Sequence, residues 1–507
     1  MRALLSVYDK TGLEEFARGL RELGVELIAS GQTSAALRGA GIEHSSVEDV
    51  TGSPEMLSGR VKTLHPRIHG AILADLGEPT HLSDLHRHGI EPIGLVACNL
   101  YPFRAEPSIE TIDIGGVALL RAAAKNHAHV AAVVEAADYG PILDELRREG
   151  EVSPATRLRL ARAAFAHVAA YDAAVVDWLG QALGGGEDGL PQTIHLALEK
   201  AEELRYGENP HQRGARYRVT GAPASGLDEA VQHGGRELSY LNLHDAGAAR
   251  RLVHEVGTLG GAAAAVIVKH ANPCGVAVAA DLGSAYRLAF EADPLSAFGG
   301  VVAVNGLVDG PLAEVIVANP LADVLVAPAF AEAALELFAG RRKNMRVLEM
   351  STPGEPQLSI RQIDGGWLVQ QPDRLGSTRA DWRVVTKAVP TKEQWQDLEL
   401  AWLVCARTTS NAIVLAVGGQ VNGIGCGQQS RVEAAQLAAR KAAGRATGGA
   451  AASDAFFPFR DGLDVLADAG VAVVAQPGGS LHDEEIVVAA DERGIAMVLT
   501  GERHFRH

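Results

Sequence analysis

The stretch Lys269-His270-Ala271-Asn272-Pro273-Cys274-Gly275 follows an apolar run, residues 262–268, with the length and branching of a fully buried central strand. Such a strand carries a cation (Lys269) and a titratable imidazole (His270) to its C-terminal end, and the Asn-Pro and Cys-Gly pairs predict a turn straight after it. In open α/β sheets, ligands bind beyond the carboxyl ends of the strands, so this is where chemistry is expected. Histidine has the side chain that titrates nearest neutrality, and an adjacent ammonium pushes it toward its neutral, basic form. A strand end whose lysine and histidine simply meet solvent fits the same residues.

Around this stretch the chain alternates strands and helices. Residues 3–8 read as a strand. Thr11 and Glu14 then predict a capping box for a helix with apolar positions 13, 16, 17 and 20. Gly24 ends that helix, and residues 25–29 read as a second strand running into Ser30-Gly31-Gln32-Thr33 and a helix from about Ser34. This alternation predicts a parallel sheet. Ser6 through Lys10 and Ser30 through Thr33 would then lie at adjacent strand ends, where hydroxyls, a lysine and helix N-termini make a phosphate cradle; ordinary capping explains each segment equally well.

A basic loop, Gly59 to Pro66, precedes a buried strand at 93–97 that ends in Asn99-Leu100-Tyr101-Pro102-Phe103. Asp113 reads as the N-cap of a helix over 114–126, with Lys125 near its C-terminus; capping, dipole compensation and packing are the plain roles for Asp113, Lys125 and Tyr101. Residues 155–183 predict one long helix and 184–189 a glycine-rich linker. The expected division is therefore a domain over 1–190 and another over 191–507, the second split into subdomains near 191–372 and 373–507 where the composition turns polar. Strands are expected at 323–327, 367–370 and 413–417, with a helix over 392–408. No repeat of fixed short period is present.

At 507 residues the chain exceeds one ordinary core. Its formal net charge of −16 excludes a broad electrostatic footprint for nucleic acid. The four cysteines lie far apart with no CxxC pair, which argues against a disulfide framework or structural zinc. Asp9-Lys10 arrives too early for a signal peptide, and no apolar run approaches the roughly 20 residues of a membrane span. A soluble, cytoplasmic protein without membrane or nucleic-acid partners is expected.

Eleven strings in one order (GRVKTLHP, NLYPF, IDIGG, AAAKNH, LRYGENPHQ, KHANPCG, DPLSAFGG, TTSNA, GIGCGQQSR, SDAFFPFRD, RHFRH) run through the whole chain. By them the sequence resembles the bifunctional purine-biosynthesis family, in which phosphoribosylaminoimidazolecarboxamide formyltransferase is fused to IMP cyclohydrolase. The resemblance implies an α/β fold: a methylglyoxal-synthase-like parallel-sheet domain, then a C-terminal domain of two cytidine-deaminase-like α/β subdomains. It implies formyl transfer from 10-formyltetrahydrofolate to the amine of 5-aminoimidazole-4-carboxamide ribotide (AICAR), then dehydrative closure of the formylated product (FAICAR) to IMP. A homodimer with its transformylase sites at the subunit interface is implied too, and no catalytic metal.

For ring closure, the resemblance places the nucleotide phosphate against Ser30, Gly31 and Thr33 with Lys10 nearby. It puts Lys62 and Thr63 at the substrate's developing oxyanion, and gives proton transfer to Tyr101, Asp113 and Lys125. For formyl transfer it implies His270 as base, Lys269 as cation and Asn411 as hydrogen-bond donor near the formyl group. Arg205, Tyr206, Gly299, Asp323, Arg431 and Arg503 match ribotide-binding positions, and Phe456 and Asp461 line the folate pocket. Two departures stand out: Gln32 replaces the second glycine of the Ser-Gly-Gly-Thr cradle, and only twelve residues separate Tyr101 from Asp113.

Two other classes share parts of this pattern. A zinc deaminase needs Pro-Cys-x-x-Cys, but Pro273-Cys274 is followed at 277 by alanine. A regulatory nucleotide sensor would use the N-terminal cradle without Tyr101, Asp113 and Lys125 grouped about one pocket, leaving transformylase as the only activity.

Overall fold

The computed structural model describes every residue except 55, 183–188 and 356–357, so all but Gly189 of the expected linker lies outside the described residues. The chain forms two compact units. One comprises Met1–Glu199 with Tyr217–Pro223, the other Lys200–Arg216 with Ala224–His507.

The first unit is built on five parallel strands in the order Ser45–Ser46, Glu26–Ala29, Arg2–Val7, Leu95–Asn99, Ala131–Val133. Chain order reverses between Arg2–Val7 and Leu95–Asn99, which makes their carboxyl ends a topological switch point and a natural ligand crevice. Apolar faces of the sheet are covered by Phe16, Leu20 and Ile142 on one side and by Ile68, Leu119 and Leu120 on the other. The helix Pro154–Ala182 closes the unit.

Local expectations needed three corrections here. Thr11 and Glu14 make no capping box, because the Asp9 carboxylate accepts both the N–H (2.9 Å) and the hydroxyl (2.7 Å) of Thr11. The helix starts only at Leu13, after Gly12 at a φ of 69°. The second helix, Gly31–Gly39, begins three residues earlier than expected, with Ser30 at its N-cap. Asp113 lies one residue before the N-cap Ile114 of the helix Gly115–Lys125, yet its carboxylate still accepts the Gly116 N–H at 2.7 Å.

The second unit holds a continuous sheet of twelve strands. Their order is Arg383–Val384, Ala496–Leu499, Val473–Gln476, Ala450–Ser453, Ile413–Val417, Gln420–Gly425, Asn272–Ala279, Ala263–Lys269, Val301–Val304, Val324–Ala327, Arg346–Glu349, Val231–Gly234. The two expected α/β halves are legible in that order. Each opens with a long helix (Tyr240–Gly257; Lys392–Ala406), continues into a hairpin, and adds a second helix (Leu282–Ala292; Arg431–Ala442). Each then lays down three mutually parallel strands beyond the hairpin. The inner hairpin strands meet at Val276 and Val421, which joins the halves into one sheet.

The strand Ala263–Lys269 is central and buried as expected, but it runs antiparallel to both neighbours, Asn272–Ala279 and Val301–Val304. The rule for parallel strand ends therefore does not explain where Lys269 and His270 sit. A tight hairpin does. Lys269 pairs with Asn272, leaving His270 and Ala271 as a two-residue loop with φ of 53° and 56°. Positive φ at both central residues is the demand of a type I′ turn, whose twist suits a hairpin. The turn thus comes at His270-Ala271 rather than at Asn-Pro and Cys-Gly, and Pro273 is accommodated at a bulge in the following strand. The corresponding loop in the other half is Gly418-Gly419, with φ of 61° and 77°. Glycine takes this conformation freely, whereas other residues lose roughly 1–2 kcal/mol each.

Both halves also press a strand against the backbone of their second helix. A Cβ on Gly275 would lie 2.0 Å from the Ala289 carbonyl oxygen, and one on Gly423 would lie 2.3 Å from that of Ala438. Backbone cannot yield as a side chain can. Gly275→Ala is expected to destabilise the second unit by about 1–3 kcal/mol, as overpacked cores do. A denaturant midpoint equal to the parent's would show that the helix moves away at no cost.

Candidate functional site

At the switch point of the first unit, side chains from separate loops stitch the strand ends together. Asn99 accepts the N–H groups of Tyr8 (2.6 Å) and Asp9 (3.0 Å) and donates to the Asp9 carbonyl (3.1 Å). Thr33 accepts the Val7 N–H and donates to the Val7 carbonyl, each at 3.0 Å, while the Ser6 and Ser30 hydroxyls lie 2.8 Å apart. Lys10 donates to the carbonyl of Tyr8 at 2.9 Å, and burial lowers its pKa. The helix N-terminus at Gly31 is thereby framed by hydroxyls and an ammonium, a setting that favours an anion. Gln32 is exposed, next to the buried Thr33.

Two more segments close on this crevice. The Lys62 ammonium pairs with Glu48 at 2.9 Å and lies 3.7 Å from where a Cβ on Gly31 would be. The Thr63 hydroxyl lies 2.8 Å from the corresponding point on Gly115, at the first turn of the helix that follows Asp113. Burial pushes the Asp113 carboxyl up, partly opposed by the Gly116 N–H; burial and then the Asp113 charge push the Tyr101 phenol up. Tyr101 and Tyr8 meet edge to face with centroids 5.4 Å apart. Lys125 ends the helix Gly115–Lys125, which begins two residues after Asp113. Both residues line a cavity of about 850 Å³ along that helix, together with His69, whose pKa burial lowers.

In the second unit the hairpin tip is held from four directions. The buried Asp245 carboxylate accepts the N–H groups of His270 (3.1 Å) and Ala271 (2.7 Å). Asn272 donates to the His270 carbonyl at 3.2 Å and accepts the Thr409 N–H at 2.8 Å. Arg506 donates to the Ala271 carbonyl at 3.1 Å, and the Lys269 ammonium to the Phe298 carbonyl at 3.0 Å. His270 itself is exposed. Through Asn272 and Thr409 the tip is tied to the Thr409-Ser410-Asn411 segment.

Asn411 is oriented by charge. Arg431 donates to its Oδ1 at 2.6 Å, and its Nδ2 donates to the Gln428 carbonyl at 3.0 Å, leaving one amide N–H to offer. Arg431 is buried against Asp454, which is fully buried, and also donates to the Ser453 hydroxyl at 2.9 Å. Its guanidinium is thus engaged with Asp454, Ser453 and Asn411. Arg205 and Asp323 do come together, with Tyr206, around the buried Arg346, whose pKa burial lowers and Asp323 raises. Gly299 has a φ of 71° and donates to the Leu321 carbonyl at 2.9 Å, just before the strand that pairs with the one after Asp323. Arg503 lies over the Phe505 ring at 4.4 Å, Phe456 is partly exposed, and Asp461 accepts the Gly462 N–H at 2.7 Å.

Comparison with known proteins agrees with these two constructions. The family described as AICARFT/IMPCHase bienzyme matches residues 123–441, and the MGS-like domain matches residues 12–131. A curated protein of Sorangium cellulosum (strain So ce56), "Bifunctional purine biosynthesis protein PurH", is 50% identical, with 100% of this chain and 99% of that protein covered. The chain belongs to the AICARFT/IMPCHase bienzyme family. A solved structure, "Crystal structure of ForH", is 38% identical and covers 36% of this chain and 99% of its own, with a TM-score of 0.34.

Within the bienzyme framework, several residues that build the sites carried no sequence signal of their own. Asn99, Asp245, Arg346, Asp454 and Arg506 act through backbone groups or other side chains far away in sequence: Asp454 meets Arg431 and Ser410, 23 and 44 residues away, and Arg506 meets Ala271, 235 residues away. Asn99, Asp454 and Arg506 do fall inside quoted motifs, but nothing local tells which groups they meet.

Asp113 gives a signed prediction. A carboxyl whose pKa is raised by burial loses stability as pH rises through the unfolded value, because the folded state resists ionisation. Asp113→Asn keeps an acceptor for Gly116 and removes the charge. It is expected to raise the thermal midpoint of the first unit at pH 7, with the gain vanishing in acid below the ordinary carboxylate range. A variant that melts lower than the parent at neutral pH would contradict this.

Proposed function

We propose that the two chemistries of this bifunctional enzyme are divided between its two units, ring closure in the first and formyl transfer in the second. The chain is a formyltransferase and cyclohydrolase acting on small-molecule substrates of purine biosynthesis, with a folate co-substrate. The finer assignment to 10-formyltetrahydrofolate and to particular residues rests on one observation above all. A hairpin tip holds Lys269 and an exposed His270 beside a segment that carries an oriented Asn411 amide.

The acceptor amine of AICAR is weakly nucleophilic, since its lone pair is delocalised into the imidazole. His270, as the neutral base, takes the amine proton as the nitrogen attacks the formyl carbon. The new C–N bond leaves a tetrahedral oxyanion, which the Lys269 ammonium and the remaining Asn411 N–H stabilise. Collapse of that oxyanion breaks the bond to the folate N10, and the proton held by His270 goes to the departing nitrogen. Arg205, Tyr206 and Asp323, gathered about Arg346, are assigned to the ribotide, with Gly299 and Arg503. Phe456 and Asp461 are assigned to the folate.

For closure, the amide nitrogen of FAICAR attacks the formyl carbon and water is lost. The Ser30-Gly31-Thr33 frame and Lys10 hold the phosphate, Lys62 and Thr63 face the oxyanion, and Tyr101 with Asp113 moves protons. Lys125, which lines the same cavity as Asp113, is assigned to proton transfer with them. The reading includes a cytoplasmic homodimer on the strength of the family resemblance. Among the described residues no helix is long and apolar enough to cross a membrane.

His270→Ala is expected to lower formyl transfer by roughly 10²–10⁴-fold, the worth of a general base, while ring closure stays at the parental rate. Separate assays of the two steps on one preparation read this directly. Equal loss of both activities in a folded protein would overturn the division between units.

A further inference from the structure

We propose that Asp245 is a positioning residue for formyl transfer: its buried carboxylate fixes the His270-Ala271 turn in its left-handed conformation and so aims the imidazole. This rests on His270 being the base. The case is internal to the molecule, because the second unit contains the same device twice.

Asp245 lies five residues into the helix Tyr240–Gly257, and Asp397 lies five residues into Lys392–Ala406 (240 to 245, 392 to 397). Each helix opens with a capping box, Ser239 with Asn242 and Thr391 with Gln394. Each aspartate then accepts both N–H groups at the tip of the hairpin that follows its helix. Asp245 takes those of His270 and Ala271 at 3.1 and 2.7 Å; Asp397 takes those of Gly418 and Gly419 at 2.9 and 2.8 Å. Both aspartates are more than nine-tenths buried.

The copies differ in what they hold. Gly-Gly satisfies the turn with no side chain and no conformational penalty, so the twin shows how this hairpin is built when only the fold is at stake. His270-Ala271 occupies the same turn against its backbone preference. A strained turn persists only where its surroundings over-determine it. Here those surroundings are Asp245 on the two N–H groups, Asn272 on the His270 carbonyl and Arg506 on the Ala271 carbonyl. Of these, only the carboxylate accepts two N–H groups at once, and charged acceptors make the stronger bonds. An asparagine in its place can accept one N–H but turns its own NH₂ toward the other.

The test uses the full-length enzyme with both steps assayed. Asp245→Asn is expected to lower kcat for formyl transfer at least tenfold, to change KM for the ribotide less than threefold, and to leave ring closure within twofold. Ala271→Gly in the same chain lets the turn form without the clamp, and should recover at least threefold in kcat. Asp397→Asn removes the same bonds from the glycine turn and should leave formyl transfer within twofold. If Asp245→Asn proves unfolded, Asp245→Glu, which keeps the charge but displaces it by a methylene, is expected to show the same loss of kcat. Formyl transfer equal in Asp245→Asn and Asp397→Asn, or no recovery with Ala271→Gly, would overturn the proposal. His270→Ala without effect would instead remove the base assignment on which it rests.

Discussion

A carboxylate withdrawn from water needs hydrogen bonds, and a hairpin tip packed under a helix needs an acceptor for two adjacent N–H groups. In the second unit each need answers the other, twice. Asp245 and Asp397 reach from their helices to the two hairpins, and those hairpins are the innermost elements of a twelve-stranded sheet. Helix, hairpin and tip are thus locked in register at the middle of the sheet. One tip is plain glycine; the other carries the imidazole and ammonium.

A second buried charge acts in the same style. Arg431 and Asp454 are both removed from solvent, and neither stands alone, since Ser453, Asn411 and Ser410 complete their hydrogen bonds. A pair of this kind is weak evidence for stability, because desolvation offsets much of the attraction. Its consequence here is geometric. With the Asn411 carbonyl oxygen held by Arg431, the amide nitrogen can point only one way. Asn411 is therefore held from two sides, as the hairpin tip that carries His270 is.

The first unit solves a different problem. Its crevice comes from sheet topology, at the place where strand order reverses, and Asn99 closes the gap by bonding the backbone of Tyr8 and Asp9 across it. Burial raises both Asp113 and Tyr101, and the Asp113 charge raises the phenol further, so each holds its proton more tightly than it would in water. The same burial costs folding stability, a common tension at active sites.

The α/β alternation, the buried strand before Lys269, the long helix ending the first unit's run and the family itself were all readable from residue order, because periodicity, capping and motif strings are local. Local signals also singled out the segments that carry Ser30, Thr33, Asp113, His270 and Asn411. They misjudged the turn, since Asn-Pro-Cys-Gly carries every turn residue while His-Ala carries none; the true turn is imposed by Asp245 from a helix earlier in the chain. They gave no sign of the partner of Arg431, since nothing near it in sequence announces Asp454. Sequence by itself determined which elements form and which chemistry they carry. Tertiary structure alone decided strand direction around Lys269, the conformation of the hairpin tip and the partner of each buried charge, because those depend on groups that meet only after the chain has folded.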